Sequence, residues 1–180
     1  LRLDANQAWD LPTATQFLKT IEDCAIEYIE EPLQDPGQLP MLYDQTGIPL
    51  AVDESILSHP LSTFQVKNWM NALVLKPAVI GSIQDTLEYI RIARQSNLKI
   101  VISDTFHSGV GLSFLIRLAA SLTDMLPMGF DTYQALAEDI LSKRFSISNG
   151  SFDWQNVQQC VQRINFSCLQ EISGSLSVDS

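Results

Sequence analysis

The sequence predicts an α/β fold, a partial (β/α)8 barrel of the TIM type with about six β/α units. Short, continuously apolar runs are typical of strands in a parallel sheet that is covered on both faces. A polar residue ends each of the first five runs, at intervals of 23 to 27 residues, the length of one β/α unit. Barrel active sites lie at the carboxyl ends of the strands, so we expect these residues to converge there: Asp4, Glu30, Asp53, Lys76 and Ser103.

Helix-start signals follow the strands in the expected order. Pro12 lies just inside the first helix, a turn at 35–37 precedes the second, and Ser82 with Asp85 resembles a capping box. We predict strands around Asp4 and at 26–31, 48–53, 72–76, 99–103 and, more weakly, 126–131. We predict helices from Asp10 to about Cys24, up to Gly47, from His59-Pro60 to Met70, from Ser82 to Asn97 and from Val110 to Leu122.

The repeating pattern ends near residue 142. Residues 145–153 resemble a turn-rich connection, residues 155–172 an amphipathic helix, and the Ser-rich last eight residues a disordered tail. We therefore divide the chain into an incomplete barrel domain at 1–145 and a C-terminal extension at 146–180. Because eight strands close a TIM barrel and six are found, we expect two further units before Leu1.

Composition excludes several classes of partner. The chain has 180 residues and a net charge of −10, with 21 acidic against 11 basic residues, which argues against nucleic acid and anionic membranes. No apolar run approaches the ~18 residues of a membrane span, and no signal-peptide pattern opens the chain. The three cysteines lack CxxC spacing, so we expect a reducing, cytoplasmic location.

Carboxylates at three successive strand ends indicate a divalent metal site. Asp4 stands alone, whereas periodicity does not decide which member of the Glu30-Glu31 and Asp53-Glu54 pairs points inward. Hard oxygen ligands suit Mg²⁺, while zinc would favour histidine or cysteine. The sequence therefore favours Mg²⁺, which would also relieve the repulsion between the acids.

Three further features invite a chemical interpretation. Lys76 ends a buried strand, where it either balances the acids or presents an ammonium group to a reacting carbon across from the metal. His107 lies in the following loop, either as an acid/base group or as a structural residue. Residues 108–111 open a helix and could hold an anion.

The motifs DAN at 4–6, IEEP at 29–32, DES at 53–55 and LKP at 75–77 resemble those of the enolase superfamily, in order and spacing. Within it, LRLDANQAW, LKPAVIGS, VISDTFHSGVG and GFDT are most similar to the o-succinylbenzoate synthase family of menaquinone or phylloquinone biosynthesis. The resemblance covers residues 1–135. It implies a Mg²⁺-dependent lyase, with Mn²⁺ as a substitute, that removes water from a small carboxylate substrate through an enediolate.

The resemblance also implies a role for each site residue. Glu30 and Asp53 become the inward members of their pairs, and Lys76 faces the enediolate opposite the base. The implied metal ligands are Asp4, Glu30 and Asp53, the catalytic residue is Lys76, the substrate-binding residues are Arg2, Ser103, Thr105 and Gly129, and the supports of the ligands are Asn6 and Glu54.

The chain departs from the family by lacking its KxK base motif, its N-terminal capping domain and its first strands, so it corresponds to strands 3–8. We therefore expect the chain alone to bind Mg²⁺ weakly and to be inactive. Three alternatives stay open: another enolase-superfamily reaction, such as dipeptide epimerisation or muconate cycloisomerisation; a catalytically dead barrel fragment; or an unrelated metal-dependent aldolase that binds phosphate at Gly109–Gly111.

Overall fold

The computed structural model describes residues 1–58, 60–122 and 126–169. Its main sheet has five strands, and every neighbouring pair is parallel. Their spatial order is their chain order, as in a barrel built from successive β/α units. The predicted α/β fold and partial barrel are thus confirmed. The strands are β1 (Arg2–Asp4), β2 (Tyr28–Glu30), β3 (Leu50–Val52), β4 (Met70–Leu75) and β5 (Lys99–Ile102).

Local sequence signals mark several helix ends, although the first helix ends at Thr20 rather than near Cys24. The Asp10 side chain accepts a hydrogen bond from the first turn of α1, and Ser82 does the same for α4. Gly47 ends α2 with a φ of +65°, a conformation in which glycine is favoured. The helices are α1 (Leu11–Thr20), α2 (Leu39–Thr46), α3 (Pro77–Ile80), α4 (Ile83–Gln95), α5 (Gly109–Ala120) and α6 (Trp154–Val161).

The helix predicted from residue 60 to Met70 is wrong. The predicted range contains one short 3₁₀ turn, Leu61–Thr63, which follows another at Glu54–Ser58, and Met70 begins β4 (His59 lies outside the described residues). The ring of Phe64 packs edge-on against Tyr89 of α4, at 5.3 Å between centroids. The tertiary contact of this half-buried ring therefore outweighed a weak helical pattern.

The predicted strand at 126–131 is reduced to one parallel bridge. Gly129 donates to the carbonyl of Ile102 at 3.0 Å and accepts from the amide of Asp104 at 2.7 Å. Pro127 has no N–H to add to a ladder, so pairing does not extend through that residue.

The face of the sheet that carries the strand-end acids is lined by four small or medium side chains and one large one, Tyr28. Its buried members form one cluster, with Met128 packed against it. Side chains alternate along a strand, so this is the face that Asp4, Glu30 and Asp53 share with their neighbours two residues earlier. The cluster consists of Tyr28, Ala51, Ala72, Val74 and Val101.

The chain divides into two compact units, the first holding residues 1–105 and 126–129 and the second residues 106–122 and 130–169. In the second unit, α5 contacts α6. The ring of Phe145 packs on Tyr133 and Phe152, at 4.7 and 5.7 Å between centroids. The predicted domain boundary at residue 145 stays a prediction.

The C-terminal extension contains more regular structure than expected in one place and less in another. The connection predicted at 145–153 contains a hairpin of β6 (Ile147–Ser148) and β7 (Ser151–Phe152), which turns at Asn149-Gly150. The helix predicted at 155–172 is the shorter α6, which ends at Val161; the predicted disordered tail lies outside the described residues. Within the described ranges, no helix combines the length and apolar character needed to cross a membrane.

Candidate active site at the carboxyl ends of the strands

Three carboxylates stand side by side at one edge of the sheet. Asp4 and Glu30 are the last residues of β1 and β2 and pair directly in the register, and Asp53 directly follows β3. Ala51, two residues before Asp53, pairs with Glu30. Asp4 and Glu30 are therefore level, Asp53 lies two residues further along its strand, and the structure brings these three strand-end acids to one edge of the sheet.

Burial and neighbouring charges raise the pKa of two of these acids, Glu30 and Asp53. Burial, together with the negative charges of Asp4 and Asp53, raises the pKa of Glu30 to about 8. Burial also raises the pKa of Asp53 to about 6, although the neighbouring Lys76 opposes this shift. The edge of the sheet thus carries negative charge that the described side chains only partly neutralise.

Lys76 is held by two of the acids. Its Nζ forms an ion pair with the Asp53 carboxylate and another, at 2.9 Å, with Oε1 of Glu54. Burial acts to lower the pKa of Lys76, but its hydrogen bonds to Asp53 and Glu54 outweigh burial and raise it above the ordinary value. Lys76 is therefore a protonated ammonium group at neutral pH, suited to stabilise negative charge rather than to act as a base.

The donor chemistry of the acids fits a hard divalent cation, because all three offer carboxylate oxygens. The pKa of Glu30, which burial and the charges of Asp4 and Asp53 raise, agrees with this fit, because a bound cation would offset those negative charges. Within the described part of the chain, however, no group of three or more His, Cys, Asp and Glu side chains is arranged closely enough to hold a metal ion. The ion pair with Lys76 engages Asp53, so a metal would compete with Lys76 for this carboxylate.

The structure distinguishes the two members of each acidic pair. Glu30 is half-buried, and the charges of Asp4 and Asp53 help to raise its pKa. Glu31 is fully buried and accepts a hydrogen bond from the amide of Asp53 at 2.7 Å. Asp53 is buried, whereas Glu54 is exposed at the outer side of Lys76. Sequence reasoning assigned no role to Glu31, and the only signal was a second acid before Pro32.

Asn6 binds both oxygens of Asp4. Its backbone amide donates to Oδ1 and its side-chain Nδ2 donates to Oδ2, each at 2.9 Å. The left-handed φ of +46° at Asn6, which asparagine tolerates better than most residues, allows this loop geometry. The carboxylate of Asp4 is thereby oriented although its side chain is exposed.

Of the predicted substrate-binding residues, Ser103 and Gly129 are neighbours, joined by the parallel bridge. A Cβ at position 129 would lie 2.7 Å from Oγ of Ser103, so the close approach requires glycine there. Thr105 follows, half-buried. Their role in substrate binding stays a prediction.

Arg2 lies at the other end of the strands. Its guanidinium donates to both oxygens of Glu27, at 2.8 and 3.2 Å, and to the carbonyl of Pro127 at 2.8 Å. Lys99, the first residue of β5, also pairs with Glu27, at 2.8 Å. The structure therefore does not bring the Arg2 guanidinium to the strand-end acids, and its predicted contact with substrate stays untested.

The helix N-terminus at 108–111, a candidate anion site, is occupied by a carboxylate of the chain itself. The amide of Gly109 donates to Oδ1 of Asp139 at 2.9 Å. A Cβ at Gly109 would collide with Asp139, Tyr133 and Leu141. This packing weighs against the aldolase alternative, which needs room there for a phosphate.

A cavity of about 350 Å³ lies beside the 3₁₀ turns that follow β3. Its walls are mainly apolar, with Leu39, Ile56, Phe64 and Trp69 among them, and they contain neither the three strand-end acids nor Lys76. The cavity is therefore separate from the chemistry described above.

A parallel sheet with acids at successive strand carboxyl ends is the architecture of a (β/α)8-barrel enzyme domain. The family model described as "Enolase C-terminal domain-like" matches residues 1–156. The chain belongs to this family.

Individual relatives agree with the family. The o-succinylbenzoate synthase of Haemophilus influenzae is 37% identical over 144 residues, which cover 78% of this chain and 44% of that protein. A dipeptide epimerase from Cytophaga hutchinsonii, solved in complex with Mg and the dipeptide D-Ala-L-Val, is 25% identical with a TM-score of 0.71, covering 82% of this chain and 41% of that one. MenC from Desulfotalea psychrophila has a TM-score of 0.72 at 23% identity, covering 83% and 43%. The chain thus spans less than half the length of these relatives.

Proposed function

We propose that this chain supplies the metal ligands and one catalytic lysine of an o-succinylbenzoate synthase-like lyase, which removes water from a small carboxylate substrate through an enediolate. The observation that carries the proposal is the row of Asp4, Glu30 and Asp53 beside the ammonium group of Lys76, where burial and the charges of Asp4 and Asp53 raise the pKa of Glu30 to about 8. Clustered charges of this kind, at the strand ends of a barrel, are typical of catalytic sites.

Each residue has a role in this proposal. Asp4, Glu30 and Asp53 would hold Mg²⁺ or Mn²⁺, and a bound divalent ion supplies Lewis-acid stabilisation of an enediolate. Lys76 adds a positive charge, which its ion pairs with Asp53 and Glu54 hold in place. Asn6 orients the Asp4 carboxylate through two hydrogen bonds.

The substrate assignment rests on sequence similarity and on the pocket residues. The 37% identity to the Haemophilus influenzae synthase supports the dehydration reaction, and with it a place in quinone biosynthesis in the cytoplasm. Ser103, Thr105 and Gly129 would contact the substrate. The likeness to a dipeptide epimerase, at 25% identity, supports epimerisation as the second candidate.

The test uses this chain alone and in a chimera that supplies the remaining part of the Haemophilus influenzae synthase. We expect the chimera with Mg²⁺ to consume the succinylbenzoate precursor and the chain alone to be inactive. Lys76→Ala should lower turnover by about a thousandfold, within the range of a lost acid–base or charge-stabilising group. The matched control is Lys19→Ala, because Lys19 is an exposed lysine in the last turn of α1.

Two results would overturn the assignment. Turnover of a dipeptide panel without loss of the precursor would replace the dehydratase by an epimerase. Unchanged turnover in Lys76→Ala would remove this residue from the mechanism. Calorimetric titration of the 180-residue chain with Mg²⁺ tests the metal ligands separately from turnover.

A further inference from the structure

Glu31 is a buried carboxylate at the junction of three strand ends. It is fully buried, directly after the proposed ligand Glu30. Burying an ionised carboxylate is costly unless it is well hydrogen-bonded. The donors that meet it are uncharged groups of neighbouring loops, so its position serves local geometry rather than a salt bridge.

One oxygen of Glu31 gathers the turn after β3. Oε1 accepts hydrogen bonds from the amide of Asp53 at 2.7 Å, the amide of Ser55 at 2.9 Å and the hydroxyl of Ser55 at 2.5 Å. The Asp53 amide belongs to the same residue whose carboxylate faces Lys76 and Glu30. Glu31 therefore holds the backbone from which the Asp53 side chain projects.

The same residue also holds the loop after β1. Oε2 of Glu31 accepts from Nε2 of Gln7 at 3.3 Å, and its backbone carbonyl accepts from the amide of Gln7 at 2.6 Å. Its own amide donates to Ala51 of β3 at 3.1 Å. Glu31 thus connects the segments that carry Asp4 and Asp53, with Glu30 as its immediate neighbour.

The backbone at Glu31 adopts a left-handed φ of +38°. Such a conformation in a residue other than glycine is unfavourable and persists where the surroundings over-determine it. Here the left-handed residue is the second of two consecutive acids. The first, Glu30, lies near Asp4 and Asp53, whereas Glu31 accepts hydrogen bonds from the turn after β3. The strained backbone therefore occurs where Glu30 and Glu31 contact different groups.

We propose that Glu31 is a positioning residue, which fixes Asp53 relative to Asp4 and Glu30 through hydrogen bonds to the turn after β3. The consequence for metal affinity rests on the function proposed above, whereas the hold on the Asp53 backbone does not. Groups that orient metal ligands from behind typically contribute about 10- to 100-fold to metal affinity.

The test compares variants that change the hydrogen-bond acceptor at position 31 or remove one of its donors. Glu31→Gln keeps an oxygen for the three donors, Glu31→Ala removes it, and Ser55→Ala removes one donor only. The control is Thr86→Val, which deletes a buried hydroxyl and its 2.8 Å hydrogen bond to Ser82 within α4. Each variant of the 180-residue chain is titrated with MgCl₂ by calorimetry, and amide exchange at Asp53 and Ser55 is followed by NMR without metal.

We expect Glu31→Ala to weaken Mg²⁺ binding by at least tenfold, with a smaller loss in Glu31→Gln, where the acceptor is retained. Ser55→Ala should lie between Glu31→Gln and the wild type. Thr86→Val should lower the melting temperature without changing Mg²⁺ affinity. Exchange at Asp53 and Ser55 should accelerate at least tenfold in Glu31→Ala, and if that variant does not fold, Glu31→Gln and Ser55→Ala carry the comparison.

The two proposals fail in different ways. Unchanged amide exchange at Asp53 in the position-31 variants would overturn the positioning role. So would a loss of Mg²⁺ affinity in Thr86→Val that matches the loss in a position-31 variant of equal stability. No Mg²⁺ binding by the wild type, with Glu31-dependent protection of Asp53 intact, would overturn the proposed metal site and retain the positioning of Asp53.

Discussion

Two glutamates three residues apart on one strand segment behave in opposite ways. Glu27, just before β2, lies between Arg2 and Lys99, and its hydrogen bonds to these cations lower its pKa to about 2. Glu30, at the end of β2, has its pKa raised to about 8 by burial and by neighbouring carboxylates. The same side chain is thus stabilised as an anion at one end of the sheet and destabilised at the other.

The two ends of the sheet differ in how well their charges are balanced. The amino-end cluster (Arg2, Glu27 and Lys99) joins β1, β2 and β5 by opposite charges that satisfy one another. At the other end, carboxylates outnumber the cation they face. Barrel folds divide their ends in this way, with stabilising contacts at the amino ends of the strands and catalysis at the carboxyl ends.

The largest expected effect is at the carboxyl end. Glu30→Gln removes one proposed ligand, a carboxyl group that burial and neighbouring acids keep protonated in the folded metal-free chain at neutral pH. Mg²⁺ affinity should therefore fall by at least about a hundredfold, while the metal-free protein melts at a higher temperature because the cost of protonating Glu30 on folding is gone. Calorimetry with MgCl₂ and thermal denaturation without metal measure the two effects. A lower melting temperature in metal-free Glu30→Gln would break the comparison.

The same substitution at the amino end should have the opposite effect on stability. Glu27→Gln loses two partly exposed ion pairs, so the free energy of unfolding should fall by about 1 kcal/mol, with Mg²⁺ affinity unchanged. Urea denaturation and the same titration measure this. Loss of Mg²⁺ binding in Glu27→Gln would show that the two ends are coupled.

Acid should remove the contribution of the amino-end cluster. The pKa of Glu27 is about 2 in the folded chain against an ordinary value of 4.5, so its stabilisation is complete above about 4.5 and is lost as the pH falls towards 2. The stability difference between wild type and Glu27→Gln should therefore shrink through this window. Urea denaturation at pH 6, 4 and 3 tests it, and a difference that stays constant would contradict the assignment.

The smallest effect is expected at Lys99. Lys99→Met removes the more exposed of the two cations that meet Glu27, while Arg2 keeps its paired hydrogen bonds. The loss in free energy of unfolding should be about 0.5 kcal/mol or less, and smaller at high salt. A loss equal to that of Glu27→Gln would mean that Lys99, rather than Arg2, dominates the amino-end cluster.

Much of the candidate site could be predicted from the sequence because its residues recur at a regular spacing along the chain. Asp4, Glu30, Asp53 and Lys76 recur at intervals of one β/α unit, and parallel strands in chain order bring their carboxyl ends to one edge of the sheet. The helix predicted up to Met70 failed because the burial of Phe64 against Tyr89 is a contact between distant segments. No local pattern carries that information.

Arg2 is a second example of a contact that the sequence could not predict. Its position on the acid-bearing face of β1 follows from alternation, but its partner Glu27 does not, because the ion pair joins two different β/α units. Direction along the strand also matters, since Arg2 precedes Asp4 and reaches the amino end of the neighbouring strand.

By itself the sequence determined where strands end, where Asp10 and Ser82 cap helices, and that acids recur at one edge of the sheet, because these depend on neighbouring residues and on spacing. Strand periodicity left open which member of each acidic pair faces the site; the family resemblance implied Glu30 and Asp53, and only the tertiary structure supplies the physical reason. Glu31 turns away because donors from the turn after β3 satisfy its carboxylate and hold its backbone in a left-handed conformation. The charge preferences of Glu27 and Glu30 were decided in the same way, by partners from other strands.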